Sequence, residues 1–82
     1  MVDRPDSRVT SFRITVNRAH RERVNLQLMQ LMDQGVFESF TEVAENGTLE
    51  SFVIYLTRPM KFGEIIAHVS EFLPRDSELG VN

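Results

Sequence analysis

At 82 residues, the chain has the length of one small domain and can bury only a modest core. It contains no cysteine, which excludes disulfides, thiolate metal sites and cysteine nucleophiles and fits a reducing cytoplasm. Twelve acidic against nine basic side chains leave a formal charge of -3, which argues against a phosphate-backbone binder, and no stretch approaches the roughly 20 apolar residues that cross a bilayer.

Residues 1–8 carry charges of both signs and no hydrophobic pattern, so they read as a frayed arm with no signal peptide. The folded domain is expected over 9–82. From 9 to 16, Phe12, Ile14 and Val16 alternate with Arg13 and Thr15, the period of a strand with one buried face. Asn17 offers a helix N-cap. From 18 to 34 the apolar positions recur with helical period, Val24, Leu28, Leu31 and Met32 sharing one sector. Gly35 follows as the C′ residue. Leu26 and Met29 fall outside that sector, beside Glu22 and Asp33.

Two extended segments, 36–44 and 49–57, flank Asn46-Gly47, the sequence of a two-residue type I′ hairpin turn. That loop sets a register. Val43 faces Glu50, Thr41 faces Phe52, Ser39 faces Ile54 and Phe37 faces Leu56 on the core side. On the outer side, Ala44 meets Leu49, Glu42 meets Ser51, Phe40 meets Val53 and Glu38 meets Tyr55. Arg58-Pro59 is expected to end the strand. Phe62, Ile65, Ile66, Val69 and Phe72 then give a second amphipathic helix over about 61–72, stopped by Pro74, and 79–81 can add a brief fourth strand.

This order is that of an α+β, ferredoxin-like β-α-β-β-α(-β) domain, an antiparallel sheet with both helices on one face. Its core is expected to unite Phe12, Ile14, Val16, Phe37, Phe52, Ile54 and Leu56 with Val24, Leu28, Leu31, Ile65, Ile66, Val69 and Phe72. The other sheet face stays open, and the expected register places Phe40, Val53 and Tyr55 together on it, with Leu49 and Ala44 near the turn and Arg13 on the neighbouring strand. Exposed apolar clusters mark contact sites, so Phe40, Val53, Tyr55, Leu49 and Arg13 form the expected partner-binding surface.

Catalytic signatures are missing. His20 and His68 lie in different helices without acidic partners at ligand spacing. No nucleophile elbow accompanies the serines, and the four glycines make no phosphate loop. Glu38 and Glu42, expected to share the open face, read as solvated carboxylates. Asn46-Gly47-Thr48 matches a glycosylation sequon but reads as hairpin chemistry. No catalytic, metal or cofactor residue is therefore assigned.

Phe12-Arg-Ile-Thr-Val16, the leucine-rich helix ending at Gly35, the Glu45-Asn-Gly-Thr48 hairpin and Phe62-Gly-Glu-Ile-Ile66 together resemble ACT-like regulatory domains, including those at the cytoplasmic end of some bacterial transport proteins. The resemblance implies a regulatory role. Asn17-Arg18-Ala19-His20 stands where many ACT domains carry an acidic-Arg-Pro-Gly-type turn, so no effector-binding residue carries over and a small effector has no support.

The expected function is a non-enzymatic regulatory or assembly module, a homodimer or the docking partner of another protein through the open face. Two alternatives come from other classes. One is single-stranded nucleic-acid binding by the sheet, motivated by Tyr55 and the arginines of the first 23 residues. The other is a small inhibitor or adaptor of a larger complex, such as a phage-encoded protein.

Overall fold

Alternation along the first strand sends Phe12, Ile14 and Val16 to one side, where all three are fully buried. The computed structural model describes residues 8–81. In chain order these form β1 (Arg8–Asn17), a short 3-10 turn (Arg18–His20), α1 (Arg21–Asp33), β2 (Phe37–Ala44), β3 (Leu49–Lys61), α2 (Phe62–Val69) and β4 (Glu78–Val81). The strands make one antiparallel sheet in the order β2-β3-β1-β4. The domain is thus α+β, with a four-stranded antiparallel sheet and two helices. The expected brief strand near the end is β4, which pairs with β1. The expected arm, apart from Arg8 at the start of β1, lies outside the described residues.

Both ends of α1 follow from local chemistry. The Asn17 side chain accepts a hydrogen bond from the Ala19 amide at 2.9 Å, capping the 3-10 turn that leads into the helix. At the other end Gly35 has φ 81°, its amide donates to Met32 O at 2.9 Å, and the Val36 amide donates to Leu31 O at 3.0 Å. This pair of bonds is a Schellman motif, and Leu31 and Val36, the residues it brings together, each pack half-buried against the core. Val24 and Leu28 are fully buried, whereas Leu31 and Met32 are half-buried at the core's edge.

The second helix is shorter than its periodicity suggests, ending at Val69 and giving way to a turn. Ile65, Val69 and Phe72 enter the core as expected, but Ile66 does not. It lies 41% exposed, because the adjacent Ile65 occupies the sheet-facing position and a step of about 100° turns Ile66 away. Nor does Pro59 end β3. The five-residue step from Tyr55 to Met60 is matched in β1 by the two-residue step from Ser11 to Val9, so the strand bulges around Pro59 and resumes pairing at Met60. A bulge is where a residue without an N–H can sit in a strand. The Thr57 hydroxyl, within the bulge, donates to Gly35 O at 3.1 Å and so ties it to the end of α1.

The hairpin departs from expectation in a way that changes the surface. A type I′ turn needs positive φ at both central residues. Here Gly47 has φ 68°, and no described non-glycine residue has a positive φ, Asn46 included. Glu45 N donates to Leu49 O at 3.2 Å and Leu49 N to Asn46 O at 3.4 Å, which leaves Asn46, Gly47 and Thr48 as a three-residue loop. The extra loop residue slips the pairing by one: Ala44 opposes Glu50, Glu42 opposes Phe52, Thr41 opposes Val53, and Phe40 opposes Ile54. A bulge between Phe37 and Ser39 absorbs the slip, so Phe37 still opposes Leu56 and stays in the core.

Two substitutions separate core from surface on α1. Leu28→Ala should lower stability by about 2–5 kcal/mol, and Leu26→Ala should stay within about 0.5 kcal/mol of the parent, both read by urea denaturation. Gly35→Ala meets no neighbouring atom within 4 Å, so its cost is the left-handed backbone alone. That cost is about 1 kcal/mol, seen as a fall of roughly 4–8 °C in Tm.

Candidate docking surface on the open sheet face

The register decides which side chains share each face. Phe12 opposes Ile54, and Ile14 opposes Phe52. Both pairs point toward the helices, so Phe40 and Glu42, opposite Ile54 and Phe52, point there too. Phe40 therefore lies on the helix-covered face, half-buried against the core, with its ring 6.1 Å from that of Phe52. Its expected place on the open face is corrected. Ala44, opposite Glu50, moves to the covered side in the same way.

Glu42 moves with them. Its carboxylate accepts from Arg21 Nε at 2.6 Å and from Asn25 Nδ2 at 3.1 Å, so it fastens β2 to α1 and is not one of an exposed carboxylate pair. The hydrogen bond from Arg21, and then the negative charge of Glu42, hold the guanidinium more firmly protonated than usual. Glu38 is exposed within the bulge.

Three rows of side chains make up the open face. Val43, Ser51, Thr15 and Glu78 form one, Thr41, Val53, Arg13 and Gly80 the next, and Ser39, Tyr55 and Ser11 the third. This face is hydroxyl-rich. The Thr15 and Ser51 hydroxyls hydrogen-bond across the strands at 2.9 Å, and Ser51 is fully buried. Arg13 on β1 reaches Glu45, just beyond β2, with Nη1 to Oε2 at 3.7 Å. Because β3 lies between β1 and β2, this ion pair passes over the β3 surface beside Ser51 and Val53. Val53 is accordingly only 9% exposed although it faces away from the helices.

Of the five residues expected to meet a partner, the structure brings Val53, Tyr55 and Arg13 together on one face. Leu49 is on the same side, next to the hairpin loop and exposed, and Phe40 is on the opposite side. Tyr55 is 43% exposed and stands out among hydroxyls. Sequence reasoning missed Val43, which joins this face by the slip and is also exposed, and missed Ser39 and Thr41 beside it. Placing Ser39 and Thr41 in the core was the signal against the expected register.

The described residues contain no group of three or more His, Cys, Asp or Glu that could hold a metal ion, and no helix among them is long and apolar enough to cross a membrane. The chain matches no protein-family model, no curated protein and no solved structure.

Proposed function

We propose that the chain is a non-enzymatic regulatory or assembly module, ferredoxin-like and ACT-like in kind, that docks a protein partner on its open sheet face. The carrying observation is Tyr55, an exposed aromatic ring in a field of hydroxyls on the same face as the Arg13–Glu45 ion pair. A tyrosine presents apolar area and a hydrogen-bonding tip at low entropic cost, which is why it recurs as an anchor in protein interfaces. The ferredoxin-like assignment draws support from the strand order. Each helix joins two strands between which a third is inserted, β3 between β1 and β2, and β1 between β3 and β4.

A hetero-partner suits this face better than a second copy laid face to face. Stacked sheets interdigitate apolar side chains across a layer about 10 Å thick. Here such a layer would bury Ser39, Thr41, Ser11 and Glu78 against their own kind. A single-stranded nucleic acid has less behind it, since Tyr55 is the one aromatic in the three rows and Arg13 is already engaged by Glu45. The absence of cysteine suits action in the cytoplasm.

Tyr55→Asp tests the reading. The substitution is on an exposed position and should leave the far-ultraviolet circular dichroism and Tm nearly unchanged. In affinity capture from native lysate with quantitative mass spectrometry, a specific partner retained by the parent should drop at least tenfold with the variant. Equal recovery by both would remove Tyr55 from the interface.

A further inference from the structure

An asparagine modifies itself where its side-chain amide is unbonded and the nitrogen of the next residue is free to reach it. The described residues include three asparagines, and their surroundings differ. Asn17 Oδ1 accepts from the Ala19 amide at 2.9 Å, and Arg18 follows it in the chain. Asn25 Nδ2 donates to the Glu42 carboxylate at 3.1 Å, and Leu26 follows it. Asn46 is exposed in the three-residue hairpin loop, and Gly47 follows it. Among the described residues, no atom bonds the Asn46 side chain or accepts from the Gly47 amide.

Gly47 is exposed as well, and a Cβ placed on it would meet nothing within 4 Å, so the space around it is open. With no side chain at 47, nothing on that residue shields its nitrogen or resists the rotation that brings it to the Asn46 side chain. We propose that Asn46 deamidates through a cyclic imide formed with Gly47, and that the isoaspartyl product loosens the hairpin loop.

The reaction needs only water and base. Gly47 N loses its proton and attacks Asn46 Cγ, forming a new N–C bond. The Cγ–Nδ2 bond breaks, and the side-chain nitrogen leaves as ammonia with that proton. Water then opens the five-membered ring at one of its two carbonyls and returns a proton to Gly47 N. Opening at Cγ gives aspartate, and opening at the main-chain carbonyl gives isoaspartate. The main-chain carbonyl is the more electrophilic, because the Asn46 nitrogen withdraws electrons from it through Cα. Nothing is oxidised or reduced, and the net exchange is an NH for an oxygen.

In isoaspartate the chain runs through Cβ and Cγ of residue 46, so the loop gains one backbone atom. The former main-chain carbonyl becomes part of a free carboxylate. That carbonyl accepts from Leu49 N at 3.4 Å, the bond that closes the loop. The closure is lost, while the Arg18 amide still holds Thr48 O and the Glu45 amide still reaches Leu49 O. The new negative charge also lies one residue from Glu45, whose carboxylate is 3.7 Å from Arg13. The inference concerns the loop alone and does not depend on the open-face reading.

The test holds the full chain and a synthetic peptide of residues 44–50 side by side at neutral and mildly alkaline pH, with mapping by mass spectrometry. Residue 46 of the folded chain should convert within tenfold of the peptide's rate and faster at the higher pH. Isoaspartate, read by enzymatic methylation, should be the larger product, and Asn17 and Asn25 should convert at least tenfold more slowly. Gly47→Ala, whose methyl shields the nitrogen, should slow residue 46 at least tenfold, and Asn46→Gln should abolish its isoaspartate signal. Isolated by ion exchange, the isoaspartyl form should melt roughly 4–8 °C below Asn46→Asp, the shift that losing one hydrogen bond gives a domain of this size. Conversion more than tenfold slower than the peptide's, or as fast at Asn17 or Asn25, or undiminished by Gly47→Ala, overturns the proposal. So does an isoaspartyl form that melts together with Asn46→Asp.

Discussion

Everything distinctive about this domain depends on the hydrogen bond from the Arg18 amide to Thr48 O, 2.6 Å long, which extends the β1–β3 ladder into the hairpin loop. With Thr48 held opposite Arg18, the loop cannot close over Asn46 and Gly47 alone, and β2 returns one residue out of step with the tightest turn. Arg18 adds a second tie through Nε, 3.4 Å from the Glu50 carboxylate at the buried end of β3. The start of the helical layer and the hairpin are therefore positioned by the same short segment.

The slip is favourable because of what it moves. It carries Phe40 onto Phe52 under the helices, where half-burial of the ring contributes a part of the about 1.5–3 kcal/mol that full burial of a phenylalanine is worth. It brings Glu42 to two donors on α1 and takes Ser39 and Thr41 out of the apolar layer. Against these gains stands the preference of Asn-Gly for a two-residue turn. The bulge at Glu38 confines the change to the outer part of β2, so Phe37 keeps its T-shaped contact with Phe12, ring centroids 5.6 Å apart.

Most of the architecture was legible in the sequence because its signals are local or strictly periodic. Phe12, Ile14 and Val16 declare β1, Asn17 caps the 3-10 turn that leads into α1, and Gly35 ends the helix in the left-handed geometry a residue without a Cβ allows. The face of β2 was not legible. In Phe37-Glu-Ser-Phe-Thr-Glu-Val-Ala44 each parity holds one phenylalanine, so alternation favours neither side. Turn chemistry then decided the reading, and a tertiary bond overrode it. The same limitation hid Val43 and misplaced Phe40, whereas Val53 and Tyr55, fixed by the parity of β3 against β1, were placed on the correct face. Pro59 misled for a related reason: a bulge depends on how β1 and the end of α1 receive the strand, which the dipeptide does not encode.

The corrected register also divides the surface by chemistry. The open face is polar and partly self-satisfied, its arginine held by Glu45 and Thr15 bonded to Ser51, which leaves Tyr55 as a discrete exposed ring in place of a broad apolar patch. The apolar side chains left over on α1, Leu26 and Met29, are exposed on the helix layer and so lie across the sheet from that face.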